Sequence, residues 1–249
     1  MTADERANEA APGILPLFRG LIFAAVCAGL VAGAGLTLLH FLVTSPLIAQ
    51  AETYEVAAPA TAHPQAADHQ NHTQDPAVGD DFWHRAALTG LADLSAGIGY
   101  ALLLCAGLVL RGGGISLWGG LLWGLAGFVS FSLAPALGLP PELPGTAVPA
   151  IVPRQIWWLV TAAATAGGFA LLAFKRPIVW AACGIALAVA PHVIGAPRLA
   201  QHASLVPEEL IRLFVAGAMA SNLVFWVLLG FGCVMALRRF GPMAASSSH

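Results

Sequence analysis

Long apolar stretches alternate with short polar connections along most of this 249-residue chain. A helix that spans a membrane needs about 20 mostly apolar residues, because each residue adds about 1.5 Å against a hydrocarbon core of about 30 Å. The stretches that meet or approach this length are 20–43, 87–110, 116–137, 156–174, 178–194 and 211–237. They predict an all-α, polytopic membrane protein with about six spans. The fifth stretch is short and ends at Pro191-His192, so five spans with a re-entrant piece are the alternative.

The composition supports a membrane location for the domain that covers residues 20–240. Hydrophobic residues make up 58% of the chain and charged residues only 10%, whereas a soluble domain carries about 25% charged residues. So few polar side chains cannot cover the surface of a soluble fold. The net charge of −2 also provides no basic surface for nucleic acid, so the lipid bilayer is the expected surrounding.

The basic residues of the connections predict the orientation, because Lys and Arg accumulate on the cytoplasmic side. If the N-terminus lies inside, seven of them fall on the inner side and four on the outer side. We therefore expect the tails 1–19 and 241–249 to be cytoplasmic and the connection 45–85 to lie outside.

The connection 45–85 is the longest polar segment, and it lacks a sustained apolar periodicity. This pattern predicts one long disordered outer loop. The loop contains His63, His69 and His72 among several aspartates, and imidazole with carboxylate suits divalent cobalt, nickel or zinc. We expect the loop to gather metal, and a solvated spacer without ligands is the alternative.

Four polar side chains fall inside or at the ends of the apolar stretches, where such groups are costly and mark functional sites by default. Asp93 lies about two turns into the second predicted helix, where a carboxylate needs a cation, a proton or a donor. His40 and His192 lie near the outer ends of the first and fifth helices. We predict a divalent-metal site formed by Asp93 with these histidines, with His192 as its nearest co-ligand. Alternatively, both histidines face interfacial water, and Asn222 joins two helices.

Small residues recur at four-residue spacing in two of the predicted helices. The first helix carries Ala25, Gly29 and Gly33, and the third carries Gly120 and Gly124. Small side chains so spaced predict close helix–helix packing.

Motifs of common enzymes are missing from the sequence. It contains no phosphate-binding G-x-x-x-x-G-K-[ST] loop and neither the H-E-x-x-H nor the G-x-S-x-G motif of hydrolases. We therefore expect no enzyme, no catalytic residues and no permanently bound cofactor.

Five segments resemble the conserved motifs of the CbtA family. They are PLIAQAETYE at 46–55, APALGLPPELPG at 134–145, RQIWW at 154–158, PHVIGAP at 191–197 and SNLVFW at 221–226. The proline-rich run followed by R-Q-x-W-W is the most specific of them. Together the segments run from the first predicted helix to the last.

The resemblance implies a subunit of a cobalt transporter, which is associated with cobalamin-linked genes and with CbtB, a small single-helix partner that bears histidine. It implies uptake of Co²⁺ across the bacterial cytoplasmic (inner) membrane. Glu52 and Glu55 join Asp93, His192 and His40 as expected ligands or gate groups on the outer side. For Glu142 and Arg154, an ion pair that holds the outer loop is the alternative.

Other functions fit the same residues. A membrane metal sensor, or a scaffold that assembles a partner, needs no transport. A transporter with nitrogen and oxygen ligands also suits nickel or zinc, because such sites differ in affinity mainly by the intrinsic order of the metals.

Overall fold

The computed structural model describes residues 14–57, 78–112, 116–175, 177–198 and 204–240. Within these ranges the chain is helical and has no strand. The helices are α1 (Ile14–Leu39), α2 (Ser45–Ala57), α3 (Val78–Arg111), α4 (Leu117–Phe128), α5 (Ala134–Gly138), α6 (Ile151–Phe174), α7 (Ile178–Ile194) and α8 (Glu208–Phe240). One π-helical turn, His40–Thr44, joins α1 to α2, and a second, Val129–Leu133, joins α4 to α5.

Five helical segments of the described residues are long and apolar enough to cross a membrane. They are Leu15–Val56, Phe82–Arg111, Leu117–Gly138, Ile151–Phe174 and Glu208–Phe240. The predicted fifth stretch forms α7, whose 17 residues fall short of a full span. The expected polytopic, all-helical architecture is confirmed, and its spans agree with the five-span alternative.

The helices extend into the segment that was expected to be a loop. Helix α2 occupies 45–57, and α3 begins at Val78 instead of near residue 87. Helix α2 is stabilised at this end of the bundle by a cluster in which Ala51 packs with Leu143 and Val206. We call it the outer cluster, after the side of the membrane on which the sequence predicts it. The sequence pattern of 45–57 alone does not show these distant partners, so the loop prediction was wrong at both ends. Residues 58–77, with His63, His69 and His72, lie outside the described residues.

The crossing of α1 and α3 depends on glycine, as the spacing of small residues predicted. A Cβ atom on Gly29 would lie 2.5 Å from Cα of Ile98, and one on Gly33 would lie 2.8 Å from the carbonyl oxygen of Asp93. Only glycine permits this approach without a shift of the backbones. The crossing therefore brings the backbone at Asp93 into contact with α1.

Helix α8 lies at the centre of the bundle and packs against α1 and α4. Its contact with α4 is again close, since a Cβ atom on Gly120 would lie 2.7 Å from the carbonyl oxygen of Gly230. Helices α6 and α7 form a hairpin that meets at Gly168 and Gly184. Helix α7 thus packs mainly against α6, whereas α3 packs against α1 and α8.

Candidate metal site within the membrane

A π-helical turn places an imidazole beside the intramembrane carboxylate. The turn begins at His40, whose Nδ1 atom lies 2.9 Å from Oδ2 of Asp93 on α3. One turn earlier, the hydroxyl of Thr37 donates to the same carboxylate oxygen at 3.0 Å. Single π-helical turns inside α-helices are rare and occur frequently at functional sites. We call Thr37, His40 and Asp93 the membrane site.

The two donors explain how Asp93 is accommodated. Asp93 is only 7% exposed, and a buried carboxylate without hydrogen bonds is costly. The Thr37 hydroxyl and the His40 ring supply hydrogen bonds to the carboxyl group that offset this cost. The site therefore joins the carboxyl group of Asp93 on α3 to a hydroxyl on α1 and to the imidazole that begins the π-helical turn.

The hydrogen bond to Asp93 determines which atom of His40 can bind a metal. A bond to an ionised carboxylate requires that Nδ1 carries the proton and donates it. In the neutral ring the other nitrogen, Nε2, then keeps its lone pair. Histidines that bind metals commonly donate their second ring N–H to a carboxylate in this way. The arrangement suits His40 as a ligand through Nε2, oriented by Asp93.

His192 does not take the position that was expected for the co-ligand of Asp93. Its ring packs edge-on against Trp157 of α6, with 5.8 Å between the ring centroids. The indole of Trp157 also donates to the carbonyl of Pro191 at 3.4 Å. Because α7 packs mainly against α6, His192 belongs to this hairpin. The imidazole that the structure brings to Asp93 is that of His40.

The two expected glutamate ligands lie on α2. Glu52 forms an ion pair with Arg85 at 3.3 Å, and Glu55 is exposed beside Gly145. Glu52 lies twelve residues beyond His40 along a continuous helix, or about 18 Å along its axis. Among the residues that the structure describes, no three or more His, Cys, Asp or Glu side chains form a group that could hold a metal.

The ion pair that was the alternative for Glu142 and Arg154 is present. The guanidinium of Arg154, in the first turn of α6, donates to the carboxylate of Glu142 in the segment after α5. Burial raises the pKa of the Glu142 carboxyl, and the Arg154 charge lowers it by a smaller amount. This pair was the alternative to a ligand role for the two residues.

Asn222 joins two helices, as its alternative role predicted. Its Oδ1 atom accepts a hydrogen bond from Ser132 at 3.3 Å, and its Nδ2 atom donates to the carbonyl of Ala218 at 3.0 Å. Ser132 lies in the second π-helical turn and also accepts from the indole of Trp226 at 3.3 Å. Each π-helical turn therefore supplies a polar side chain inside the membrane.

Sequence reasoning missed Thr37 and Ser132. Thr37 precedes His40 by three residues, a spacing that places two side chains on one face of a helix. A search for polar residues at this spacing around each intramembrane histidine would have found it. Ser132 has no such neighbour in sequence, because its partners Asn222 and Trp226 lie on α8.

Comparison with known proteins identifies one family. A family model described as probable cobalt transporter subunit (CbtA) matches residues 18–238, which is most of the chain. Searches of curated proteins and of solved structures give no match. The match agrees with the motif resemblance and with the helical, multi-pass membrane architecture. The chain therefore belongs to the CbtA family of probable cobalt transporter subunits.

Proposed function

We propose that this chain carries divalent cobalt inward across the bacterial cytoplasmic membrane and that the membrane site binds the ion during passage. The single observation that supports the site is the hydrogen bond between His40 and Asp93, which leaves Nε2 of the imidazole as a ligand. Imidazole nitrogen is a common ligand of divalent first-row metals. The charge of Asp93 attracts the cation and keeps the ring in the binding tautomer.

In this proposal the outer side collects the ion before it reaches the membrane site. Carboxylates and imidazoles raise the local concentration of a cation at the entrance, and the groups we assign to this step are Glu52, Glu55, His63, His69, His72 and His192. The proposed orientation has the tails 1–19 and 241–249 in the cytoplasm. It follows from the distribution of Lys and Arg.

A partner subunit completes the metal coordination in the proposal. His40 offers one ligand atom, Nε2, because the Asp93 carboxylate lies against Nδ1 on the other side of the ring, whereas a divalent transition metal takes about four to six ligands. Water fills some positions, and a single-helix, CbtB-like protein that bears histidine is suited to supply others from within the bilayer. The word subunit in the family description supports the existence of a partner.

Accumulation of ⁵⁷Co²⁺ in cells that lack their own cobalt uptake tests the function. Cells that express this chain with the partner should accumulate the metal, and the His40→Gln variant should not. His84→Gln is the matched control, because His84 is an exposed histidine on α3 outside the membrane site. If cells that express the wild-type chain well accumulate no more cobalt than cells without it, the sensor or scaffold is favoured. Greater uptake of ⁶³Ni or ⁶⁵Zn than of cobalt would reassign the metal.

A further inference from the structure

A cavity of about 680 Å³ enters the bundle at the end that carries α2 and the outer cluster. Its polar lining residues are Ser132, Glu142, Arg154, Gln155 and Asn222. None of them belongs to the membrane site. We call this space the outer cavity.

The outer cavity reaches from a connecting segment to the middle of α8. Glu142 lies between α5 and α6, at the rim. Asn222 lies fourteen residues after Glu208, the first residue of α8, which corresponds to about 21 Å along the helix axis. The hydrogen-bonded pair of Asn222 and Ser132 therefore forms a polar floor at membrane depth.

The ion pair at the rim is only partly stabilised. The side chains of Arg154 and Glu142 are 28% and 23% exposed, so both have lost most of their hydration. Burial raises the pKa of the Glu142 carboxyl by more than the charge of Arg154 lowers it. The Nε atom of Arg154 is buried without a hydrogen-bond partner. A cation of higher charge can therefore compete with Arg154 for the Glu142 carboxylate.

Arg154, rather than Glu142, is the partner of the ion pair that can move. Leu143, next to Glu142, is 3% exposed within the outer cluster, which holds the backbone beside Glu142. The segment is also held by Gly145, whose φ of +80° favours glycine and whose carbonyl accepts from the N–H of Leu205 at 3.1 Å. The guanidinium, at the end of a long side chain, is the part of the pair that can swing away.

We propose that the outer cavity binds a hydrated divalent cation and that Arg154 is a tethered counter-ion which this cation displaces from Glu142. The cavity is large enough, since six waters at about 30 Å³ each occupy roughly 180 Å³. The carboxylate of Glu142 and the amide oxygens of Gln155 and Asn222 are hard acceptors suited to the ion and its waters. The inference rests on the proposed function only in naming the transported metal as the cation.

A cysteine in the outer cavity reports on both parts of the proposal. Met219 lines the cavity, and Met219→Cys is introduced with Cys27→Ala and Cys183→Ala, because the other native thiols, Cys105 and Cys233, are fully buried. The rate of reaction with an impermeant, water-soluble thiol reagent is measured on the full chain in membranes, with and without CoCl₂. The background chain without the Met219 change gives the unspecific rate.

The proposal predicts one change in the labelling rate without metal and another with Co²⁺. Arg154→Gln should raise the labelling rate about tenfold, because the ion pair at the rim restricts entry to the outer cavity; this change corresponds to weakening the paired state by about 1.4 kcal/mol. Co²⁺ should protect the thiol when Glu142 is intact and should not protect it in Glu142→Gln. Arg212→Gln is the matched control, because Arg212 pairs with Glu209 at 3.0 Å outside the cavity.

An unchanged labelling rate in Arg154→Gln, or full protection by Co²⁺ in Glu142→Gln, would overturn the proposal. Arg154→Lys retains the tethered charge and should label as slowly as the parent, which gives a test even if the glutamine variant is unstable. The assay does not require transport. Protection without cobalt uptake would therefore refute the proposed function alone, and uptake without protection would refute the outer site alone.

Discussion

Replacing Asp93 by asparagine isolates the role of the carboxylate charge in the membrane site. The amide keeps the shape of the side chain and an oxygen that can accept from Thr37 and His40, at 3.0 and 2.9 Å in the native protein. What is lost is the negative charge. The variant therefore separates an electrostatic role from a purely structural one.

The expected loss follows from the strength of the two hydrogen bonds. A bond to a charged acceptor contributes about 1.5–3 kcal/mol, and a bond between neutral groups about 0.5–1.5 kcal/mol. The hydrogen bond that orients the His40 ring should weaken by about 1–1.5 kcal/mol, or about tenfold. Loss of a carboxylate that orients a metal-binding histidine typically lowers metal affinity by about 10–100-fold. We expect Asp93→Asn to lie in this range.

Isothermal titration of the purified chain in lipid nanodiscs with CoCl₂ measures the affinity, and thermal unfolding measures the stability. The unfolding temperature should not fall, because a neutral amide is less costly to bury than a carboxylate. Thr37→Val is the matched control, since it removes one donor and keeps the charge, and its loss of affinity should be smaller. Native Co²⁺ affinity in Asp93→Asn would refute the reasoning.

Three further predictions concern the surroundings of the membrane site. Gly33→Ala should lower both Co²⁺ affinity and stability, the latter by about 1–3 kcal/mol, because its Cβ atom would lie 2.8 Å from the backbone oxygen of Asp93. Gly99→Ala is the control in thermal unfolding and should behave as wild type, because a Cβ atom there would have nothing within 4 Å. His192→Ala should leave Co²⁺ affinity in nanodiscs unchanged, since its ring packs against a tryptophan of α6. A large loss of Co²⁺ affinity would show instead that His192 is a ligand of the membrane site. Lowering the pH from about 8 to about 5.5 should release Co²⁺ in equilibrium dialysis, because a ligating imidazole must be neutral; His40→Gln should bind less Co²⁺ than the wild type at pH 8.

The sequence allowed most of the architecture to be predicted, because one physical constraint dominates it. In lipid, backbone groups must be satisfied within each segment, so hydropathy and length identify helices without knowledge of their neighbours. The α1–α3 crossing was also visible, since Gly29 and Gly33 recur at the spacing that lets helices approach closely. The ion pair of Glu142 and Arg154 and the interhelical role of Asn222 were both among the stated alternatives.

The partner of Asp93 was not predictable from depth in the membrane. His40 and His192 both lie near an outer helix end, and the choice between them depends on which helix packs against α3. That choice is made by glycine contacts between α1 and α3 and by the separate α6–α7 hairpin. The π-helical turn at His40 has no sequence signature. Helix α2 was missed for a related reason, since Leu143 and Val206, which pack against it, are distant in sequence.

Cobalt K-edge X-ray absorption of the chain loaded with one equivalent of Co²⁺ tests the central claim most directly, because it reports the atoms bound to the metal. The membrane site predicts an imidazole nitrogen in the wild-type spectrum, visible through the outer-shell scattering of the ring. With His63, His69, His72 and His192 changed to glutamine in every sample, so that the proposed collecting imidazoles do not compete, that imidazole signal should disappear in His40→Gln and persist in His84→Gln. A wild-type spectrum without imidazole, or one that is unchanged in His40→Gln, would contradict the assignment of His40 as the ligand within the membrane.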